Sequence, residues 1–195
     1  MIIVISRESG CGGHEIGYRL AKKLGVAFYD KQIIADIAKK KDINTNLPEF
    51  AENIVDSEKR IIKDIVSTNS SDRKQIQGLV NELAKEDCVI VGRLGMHLLK
   101  EDRDDLTSFY IHADDEIKLS RVMERFGLTV DKAQKGMAKI DRERQLYLEK
   151  VLGKKWRNMS NYNFSIDSGY LGLNGSVDMM VEILNNRLVV SKCFD

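Results

Sequence analysis

The first 25 residues carry the pattern that most constrains the fold. A continuous apolar run at residues 2–5 is typical of a β-strand that is buried on both faces. Three glycines fall within residues 10–13, shortly after this run. Apolar residues then recur at helical spacing from Ile16 to Leu24, and Gly25 is a typical helix stop. We therefore predict a strand, a glycine-rich loop and a helix in this segment.

Short apolar runs alternate with helical patterns along the rest of the chain. Further strands are predicted at 26–29, 89–91, 108–112 and 163–166. Further helices are predicted at about 31–41, 48–67, 73–86, 114–126, 130–151 and 175–187. Strands that alternate with helices indicate an α/β fold, in which helices cover both faces of a parallel sheet.

The length of 195 residues suits a single domain, residues 1–195. Hydrophobic residues make up 43% and charged residues 31%, which is an ordinary globular mix rather than the composition of a disordered chain. Residues at about 42–72 are polar and mostly helical in pattern, without a strand. We interpret them as an insert at the sheet edge.

The net charge of +1 hides an uneven distribution. Residues 118–157 hold 12 Lys or Arg and 5 Asp or Glu, a net charge of +7, while the remaining residues sum to −6. The net charge of +1 argues against a uniformly basic surface that binds nucleic acid. No known nucleic-acid-binding motif accompanies the basic segment. Charge concentrated in this one segment favours a small polyanionic ligand.

The sequence argues against several classes of protein and of site. No apolar run approaches the roughly 18 residues that span a bilayer, and the apolar start lacks the basic segment of a signal peptide. Cys11, Cys88 and Cys193 are far apart and form no CxxC pair, which supports neither a disulfide framework nor a zinc site. His97 and His112 lack ligand spacing, and no metal site is predicted. We expect a soluble, cytoplasmic protein with no membrane partner.

The glycine-rich loop has the composition of a phosphate cradle. Glycines let backbone N–H groups turn toward an anion, and the following helix N-terminus adds a partial positive charge. The alternative is a tight strand-to-helix turn that needs glycine only for its backbone angles. The predicted phosphate-binding residues are Ser9, Gly10, Cys11, Gly12, Gly13, His14 and Glu15.

This loop departs from the common G-x-x-x-x-G-K-[ST] pattern. Gly13 stands where that pattern has Lys, and His14 stands where it has Ser or Thr. Both changes matter, because the Lys and the hydroxyl organise the transferred phosphoryl group and its metal. His14 either donates to a phosphate or lies solvated in the first helical turn.

The chain resembles the cytidylate kinase-like P-loop proteins. The resemblance rests on ISRESGCGGHEIGYRLAKKLGVAFYDKQII, on VIVGR, and on KIDRERQLYLEKVLGKKW, and runs from Ile3 to about Leu173. It implies a P-loop NTPase-type sheet with a helical acceptor-binding insert at about 42–72 and a lid within 118–157. It also implies transfer of the γ-phosphoryl group of ATP to CMP, dCMP or a similar acceptor. His14 replaces the Arg usual in the family and weakens a charge contact there.

The resemblance implies acceptor-binding roles for residues at two strand ends. Asp30 matches an acid near the acceptor phosphate, where it could orient an acceptor or bind magnesium through water. Asp30 is also a good N-cap for a helix that starts at Lys31. Arg93 follows a buried strand, and its guanidinium suits a bidentate grip on a phosphate. The alternative for Arg93 is a surface ion pair.

A second cluster lies in the basic segment. Asp141 and Arg144 match the D-x-x-R with which cytidylate kinases hold the acceptor nucleotide, and their spacing puts them on one helical face. Arg142 and Arg144 are candidate catalytic arginines, and Arg121 and Arg125 are candidate lid arginines. Such arginines would neutralise charge on the transferred phosphoryl group. The alternative for all these arginines is salt bridging on a solvated helix surface.

The missing lysine requires a substitute, and we hypothesise that Arg7 or a lid arginine supplies its charge. ATP is the expected cofactor, and Mg²⁺ is expected from the chemistry without a clear protein ligand.

Trp156 either stacks on a base or packs the lid helix. Two alternatives stay open: a kinase of a non-nucleotide small molecule, and a nucleotide-binding or regulatory protein without catalysis. The oligomeric state is left open.

Overall fold

A computed structural model describes residues 1–45, 70–92, 95, 99, 103–153 and 155–193. The predicted helix at 48–67, most of the 42–72 insert, Arg93 and His97 lie outside the described residues. Five strands and six α-helices are described, together with a short 3₁₀ helix at Met159–Asn161. The strands are β1 Ile2–Arg7, β2 Ala27–Tyr29, β3 Cys88–Val91, β4 Leu106–His112 and β5 Phe164–Asp167. The helices are α1 Gly13–Leu24, α2 Lys31–Lys40, α3 Ser70–Leu83, α4 Asp115–Phe126, α5 Val130–Leu152 and α6 Ser168–Cys193.

All the strand pairs are parallel, in the order β2-β3-β1-β4-β5. Strand β1 lies at the centre, where Ile2 is in register with Cys88 on one side and with Leu106 on the other. In open parallel sheets of this kind, ligands bind beyond the carboxyl ends of the strands. The loop after β1 therefore occupies the middle of the expected ligand crevice.

The central strand is buried on both faces, as its apolar run predicts. Successive side chains of a strand point to opposite faces. Ile2 and Val4 pack with residues of α2 and α3, while Ile3 and Ile5 pack with residues of α1 and α6. These residues are at most 1% exposed. The predicted parallel sheet with helices on both faces is confirmed.

The last helix differs from its prediction. The pattern indicated 175–187, whereas α6 covers Ser168–Cys193 with a break at Gly172, where φ is 68° and ψ is 175°. The prediction missed the first turn because three glycines between 169 and 175 weaken the helical pattern there. The Asp167 carboxylate holds this turn, since its Oδ1 accepts hydrogen bonds from the N–H groups of Gly169 and Tyr170. No helix among the described residues is long and apolar enough to cross a membrane.

Candidate active site

The loop between β1 and α1 has the backbone shape of an anion site. Gly10 and Gly12 adopt left-handed φ angles of 82° and 80°, which glycine reaches without strain. Helix α1 begins at Gly13, and no side chain caps its first N–H groups. An uncapped helix N-terminus that follows a glycine loop favours a bound anion.

The same glycines also allow close packing. A Cβ atom at Gly10 would lie 2.8 Å from the carbonyl oxygen of Lys118, and a Cβ atom at Gly12 would lie 2.4 Å from Cδ2 of Leu173. A Cβ atom at Gly13 would lie 2.6 Å from the Cβ atom of Arg7. The glycines are therefore required for a tightly packed turn, and the same turn is compatible with a bound phosphate.

Arg121 links helix α4 to the loop and to α6. Its Nη1 donates to the carbonyl oxygen of Cys11 at 3.1 Å, and its Nη2 donates to that of Ser168 at 2.8 Å. The Ser168 hydroxyl donates to the same Cys11 carbonyl oxygen at 2.6 Å. The predicted lid arginine thus holds the outer curve of the loop in this conformation.

The D-x-x-R pair braces the other side of the loop. Asp141 Oδ1 accepts hydrogen bonds from the Ser9 backbone N–H at 2.8 Å and from Arg144 Nη1 at 3.0 Å. Arg144 Nη1 also donates to the carbonyl oxygen of Arg7 at 3.1 Å. Burial raises the pKa of the Asp141 carboxyl, and Arg144 and the Ser9 N–H partly offset that effect. Both residues hold the glycine-rich loop in place.

A buried ion pair that sequence reasoning missed lies beneath the loop. Lys118 Nζ is 2.5 Å from Glu8 Oε2, and the side chains are 4% and 10% exposed. The second Glu8 oxygen accepts hydrogen bonds from the Tyr110 hydroxyl at 3.2 Å and lies 3.2 Å from Arg157 Nε. Burial alone would lower the pKa of Lys118, but hydrogen bonds with Asp115 and Glu8 outweigh it and raise that pKa.

A cavity of about 680 Å³, which we call the loop cavity, lies between the glycine loop and helices α4 and α5. Most of the predicted site residues line it, namely Arg7, Ser9, Gly10, Gly12, Gly13, His14, Glu15, Arg121, Arg125 and Arg144. Lys139 adds a fifth cation beside the four arginines. Part of the cavity wall is apolar and is formed by Phe126, Leu128 and Leu173. The cavity therefore offers an anion site with a partly apolar extension.

Four predicted site residues among the described ones do not line the loop cavity, namely Cys11, Asp30, Asp141 and Arg142. Arg142 lines a second cavity of about 450 Å³, together with Lys118, Asp141 and Trp156. Cys11 is fully buried, and its thiol donates to the carbonyl oxygen of Glu8 at 3.1 Å. Burial raises the pKa of this thiol to about 11. The Cys11 side chain therefore packs in the hydrophobic core and does not line the loop cavity.

Asp30 and His14 meet at the carboxyl end of β2. Asp30 caps α2, because its Oδ1 accepts a hydrogen bond from the Ile33 N–H at 2.8 Å. Its Oδ2 lies 3.7 Å from Nδ1 of His14, and the exposed His14 ring also contacts Phe28 edge to face. The capping interpretation of Asp30 is confirmed, while its acceptor role stays a prediction, as does that of Arg93.

Of the two roles predicted for Trp156, stacking on a base and packing in the protein, the structure shows packing. Trp156 is 2% exposed, and its Nε1 donates to the Ser6 hydroxyl at 3.2 Å. The indole also meets Tyr110 at an edge-to-face angle of 73°. This arrangement fixes the segment after α5 against the end of β1.

Glu8, Lys118, Lys139, Glu143 and Leu173 are the site residues that sequence reasoning missed. The two lysines and Glu143 fall in the basic segment, so its charge asymmetry was a signal for their region but not for each residue. Glu8 stands inside the glycine loop, and its burial depends on a partner 110 positions away. Leu173 carries no sequence signal that distinguishes it from other core residues.

Comparisons with known proteins identify the family and the fold. The sequence profile of the cytidylate kinase-like family matches residues 2–170. The chain is similar to the crystal structure of an uncharacterized protein from Eubacterium ventriosum, with 28% identity, a TM-score of 0.72, and coverage of 95% of this chain and 98% of that one. A comparison with curated proteins finds no match.

More distant structures share the fold. The shikimate kinase of Bacteroides thetaiotaomicron is 15% identical, with a TM-score of 0.52 and coverage of 95% of this chain and 98% of that one. The YorR protein of Bacillus subtilis, solved in complex with phosphorylated GDP, is 18% identical, with a TM-score of 0.52 and coverage of 95% and 96%. The architecture is thus the P-loop kinase fold. From its sequence profile and its fold, the chain belongs to the cytidylate kinase-like family.

Proposed function

We propose that the protein transfers the γ-phosphoryl group of ATP to CMP, dCMP or a similar small acceptor. Family membership and the P-loop kinase fold support the broader class, a phosphotransferase that acts on a small molecule. The observation that carries the proposal is the convergence of an uncapped helix N-terminus, a glycine loop and five cationic side chains on one cavity.

Phosphate binding in this proposal uses the loop backbone and the start of α1. The charge that the missing lysine would supply comes from Arg7 and from the lid. Arg7 suits this role because its Cβ and Cγ atoms lie beside Gly13, the position where lysine is absent, and the residue lines the loop cavity. A guanidinium that reaches this cavity can hold phosphate oxygens with two N–H groups, as a lysine cannot.

The lid arginines complete the proposed catalytic arrangement. Phosphoryl transfer needs mainly positioning and charge stabilisation, with little covalent chemistry from the protein. Arg121 already bonds the loop carbonyl of Cys11, and Arg125 lines the same cavity from α4. Both can neutralise charge on a phosphoryl group that moves across the loop.

Acceptor binding is proposed at the carboxyl ends of β2 and β3, with Asp30 and Arg93. In the described conformation, Asp141 and Arg144 bond the loop backbone. They would reach an acceptor only by exchanging those bonds. Their first role in the proposal is therefore to position the loop, and contact with the acceptor would accompany a change of the lid.

Mg²⁺ would neutralise phosphate charge and orient the phosphate oxygens when bound with ATP. The position that holds Ser or Thr in the common phosphate-loop pattern is His14 in this chain. The carboxylates that line the loop cavity are Glu8, Glu15 and Glu143. This composition fits a cation that arrives with the phosphates and keeps most of its water.

A coupled assay of ADP release tests the proposal. ATP and MgCl₂ would be combined with CMP, dCMP, UMP, shikimate or gluconate as acceptor. We expect acceptor-stimulated ADP release, greatest with a pyrimidine nucleoside monophosphate. Stimulation only by a sugar or a cyclic polyol acid would identify a kinase of a non-nucleotide molecule. Nucleotide binding without stimulation by any acceptor would favour a regulatory nucleotide-binding protein.

Arg7→Ala gives the matched test of the lysine substitute. We expect weaker ATP binding and a lower turnover, because the positive charge of Arg7 is lost from the loop cavity. Arg103→Ala is the control, since Arg103 pairs with Asp105 at the opposite end of β4. Unchanged ATP affinity and turnover in Arg7→Ala would exclude Arg7 as the substitute.

A further inference from the structure

Glu143 has an unsatisfied carboxylate oxygen in the described structure. The residue lies on α5 and lines the loop cavity, and its Oε1 is buried without a hydrogen-bond donor among the described residues. The other two carboxylates of the cavity are engaged. Glu15 accepts a hydrogen bond from Arg19 Nε at 2.7 Å, and Glu8 binds Lys118.

The position of Glu143 on α5 explains its orientation. Gly136, Ile140 and Glu143 are spaced at i, i+4 and i+7, and all three line the loop cavity. Arg144, the next residue, bonds the loop backbone at the Arg7 carbonyl oxygen. The helix is thus fixed at this point, and the Glu143 carboxylate is fixed with it near the phosphate loop.

None of the ion pairs between described residues includes Glu143, so its carboxylate is open to a cation that arrives with a ligand. The cavity suits a polyanion because five cations line it, yet an anionic carboxylate would repel a bound phosphate. A divalent cation between the two groups removes that repulsion and supplies the missing partner. Mg²⁺ in phosphotransfer sites is commonly held by one or two carboxylates together with substrate phosphates and water.

We propose that Glu143 anchors the Mg²⁺ that accompanies nucleotide phosphates in the loop cavity, through its carboxylate or through a water molecule on the metal. The inference rests on the proposed function and assigns the metal contact that the loop itself lacks. It places the protein ligand on the lid helix α5. Metal binding would therefore favour the conformation in which α5 lies against the loop.

Calorimetric titration with ADP, with and without MgCl₂, tests this assignment without a turnover measurement. In the natural protein we expect MgCl₂ to tighten ADP binding. In Glu143→Gln we expect the increase in ADP affinity caused by MgCl₂, the Mg²⁺ gain, to fall by about tenfold or more. This is the range seen when metal-site partners are removed. Binding of metal-free ADP to this variant should be equal or tighter, because one negative charge is gone.

Glu149→Gln is the matched control. It makes the same chemical change on the same helix, but the Glu149 carboxylate accepts a hydrogen bond from Gln145 and does not line the loop cavity. We expect the control to keep the natural Mg²⁺ dependence. A Glu143→Gln protein with the full Mg²⁺ gain would overturn the assignment. Weaker binding of ADP both with and without MgCl₂ would also overturn it, and would indicate a hydrogen bond from Glu143 to the nucleotide itself.

Mn²⁺ provides a second readout. In the presence of ADP, protein-bound Mn²⁺ enhances the relaxation of water protons, and we expect this enhancement to fall in both Glu143→Gln and Glu143→Ala. Thermal unfolding followed by circular dichroism shows whether each variant is folded.

If the natural protein binds no ADP under either condition, the proposed function fails together with the inference. If it binds ADP with a Mg²⁺ gain that both variants retain, only the inference fails.

Discussion

The backbone N–H of Ser9 donates a hydrogen bond of 2.8 Å to the carboxylate of Asp141. The two residues are 132 positions apart, and both are buried. This bond joins the loop between β1 and α1 to helix α5, and Arg144 adds a second link through the Arg7 carbonyl oxygen. The shape of the loop and the position of α5 are therefore coupled.

The Asp141 link should be a measurable part of the stability. Asp141→Ala leaves the Ser9 N–H and the Arg144 guanidinium without their buried acceptor, and we expect the free energy of unfolding to fall by about 3 kcal/mol. Urea denaturation measures this change. Asp178→Ala, which removes an exposed partner of Lys23, should cost under about 1 kcal/mol. Equal losses in the two variants would contradict the bracing role of Asp141.

The Glu8–Lys118 ion pair should show strong coupling. Lys118→Met leaves the buried Glu8 carboxylate without its closest cation, and we expect a loss of about 3 kcal/mol. The double variant Glu8→Gln/Lys118→Met should lose less than the sum of the single changes, because no uncompensated charge remains. A double-mutant cycle from denaturation curves gives the coupling energy. Additive losses would show that the two side chains do not act as a pair.

Gly13→Ala tests the close approach of Arg7 to the loop. The new methyl group would lie 2.6 Å from the Arg7 Cβ atom, and we expect Arg7 to shift, at a cost of about 1–3 kcal/mol. ADP binding, measured by calorimetry, should weaken with it. Gly78→Ala in α3 is the control, because a Cβ atom there meets nothing within 4 Å. The control should gain about 0.5–1 kcal/mol from the lower helix cost of alanine. Unchanged stability and ADP affinity in Gly13→Ala would contradict the contact.

The Cys11 thiol should be unreactive in the folded protein. Burial raises its pKa from 9.0 to about 11, which lowers the thiolate fraction at pH 8 about a hundredfold. Alkylation with iodoacetamide, followed by peptide mass mapping, should therefore be at least that much slower in the folded protein than in urea. Labelling at equal rates would show that the thiol is accessible.

The same shift predicts a loss of stability in alkali. Below pH 9 the thiol is protonated in both states and has no effect. Between pH 9 and pH 11 the unfolded chain releases its proton first, so the contribution of Cys11 falls as the pH rises. Denaturation at pH 8 and pH 10.5 should show a smaller alkaline loss in Cys11→Ala than in the natural protein. An identical loss in the two proteins would contradict the raised pKa.

Local sequence patterns were sufficient for the framework of the fold. The apolar run at 2–5 predicted the central strand, Gly25 predicted the end of α1, and Asp30 predicted the cap of α2. The i, i+3 spacing of Asp141 and Arg144 correctly predicted that they share a helical face, and they form an ion pair of 3.0 Å. These features depend on residues that are close in the chain.

Features that depend on distant residues could not be predicted in the same way. The burial of Glu8 requires Lys118, and the link from Ser9 requires Asp141, and no local pattern pairs these positions. The first turn of α6 was missed because its cap, Asp167, acts on a glycine-rich segment with weak periodicity. Most of the predicted site residues line one cavity, whereas Asp141 and Arg142 line another.

Transfer of a labelled γ-phosphoryl group from ATP is the most direct test of the central claim. ATP labelled at the γ-position would be incubated with the protein, MgCl₂ and each acceptor in turn, and the products would be separated by chromatography. We predict that the label appears in a phosphorylated acceptor, with CMP or dCMP as the best substrate. Label that stays in ATP, or appears only in inorganic phosphate, with every acceptor would contradict the account.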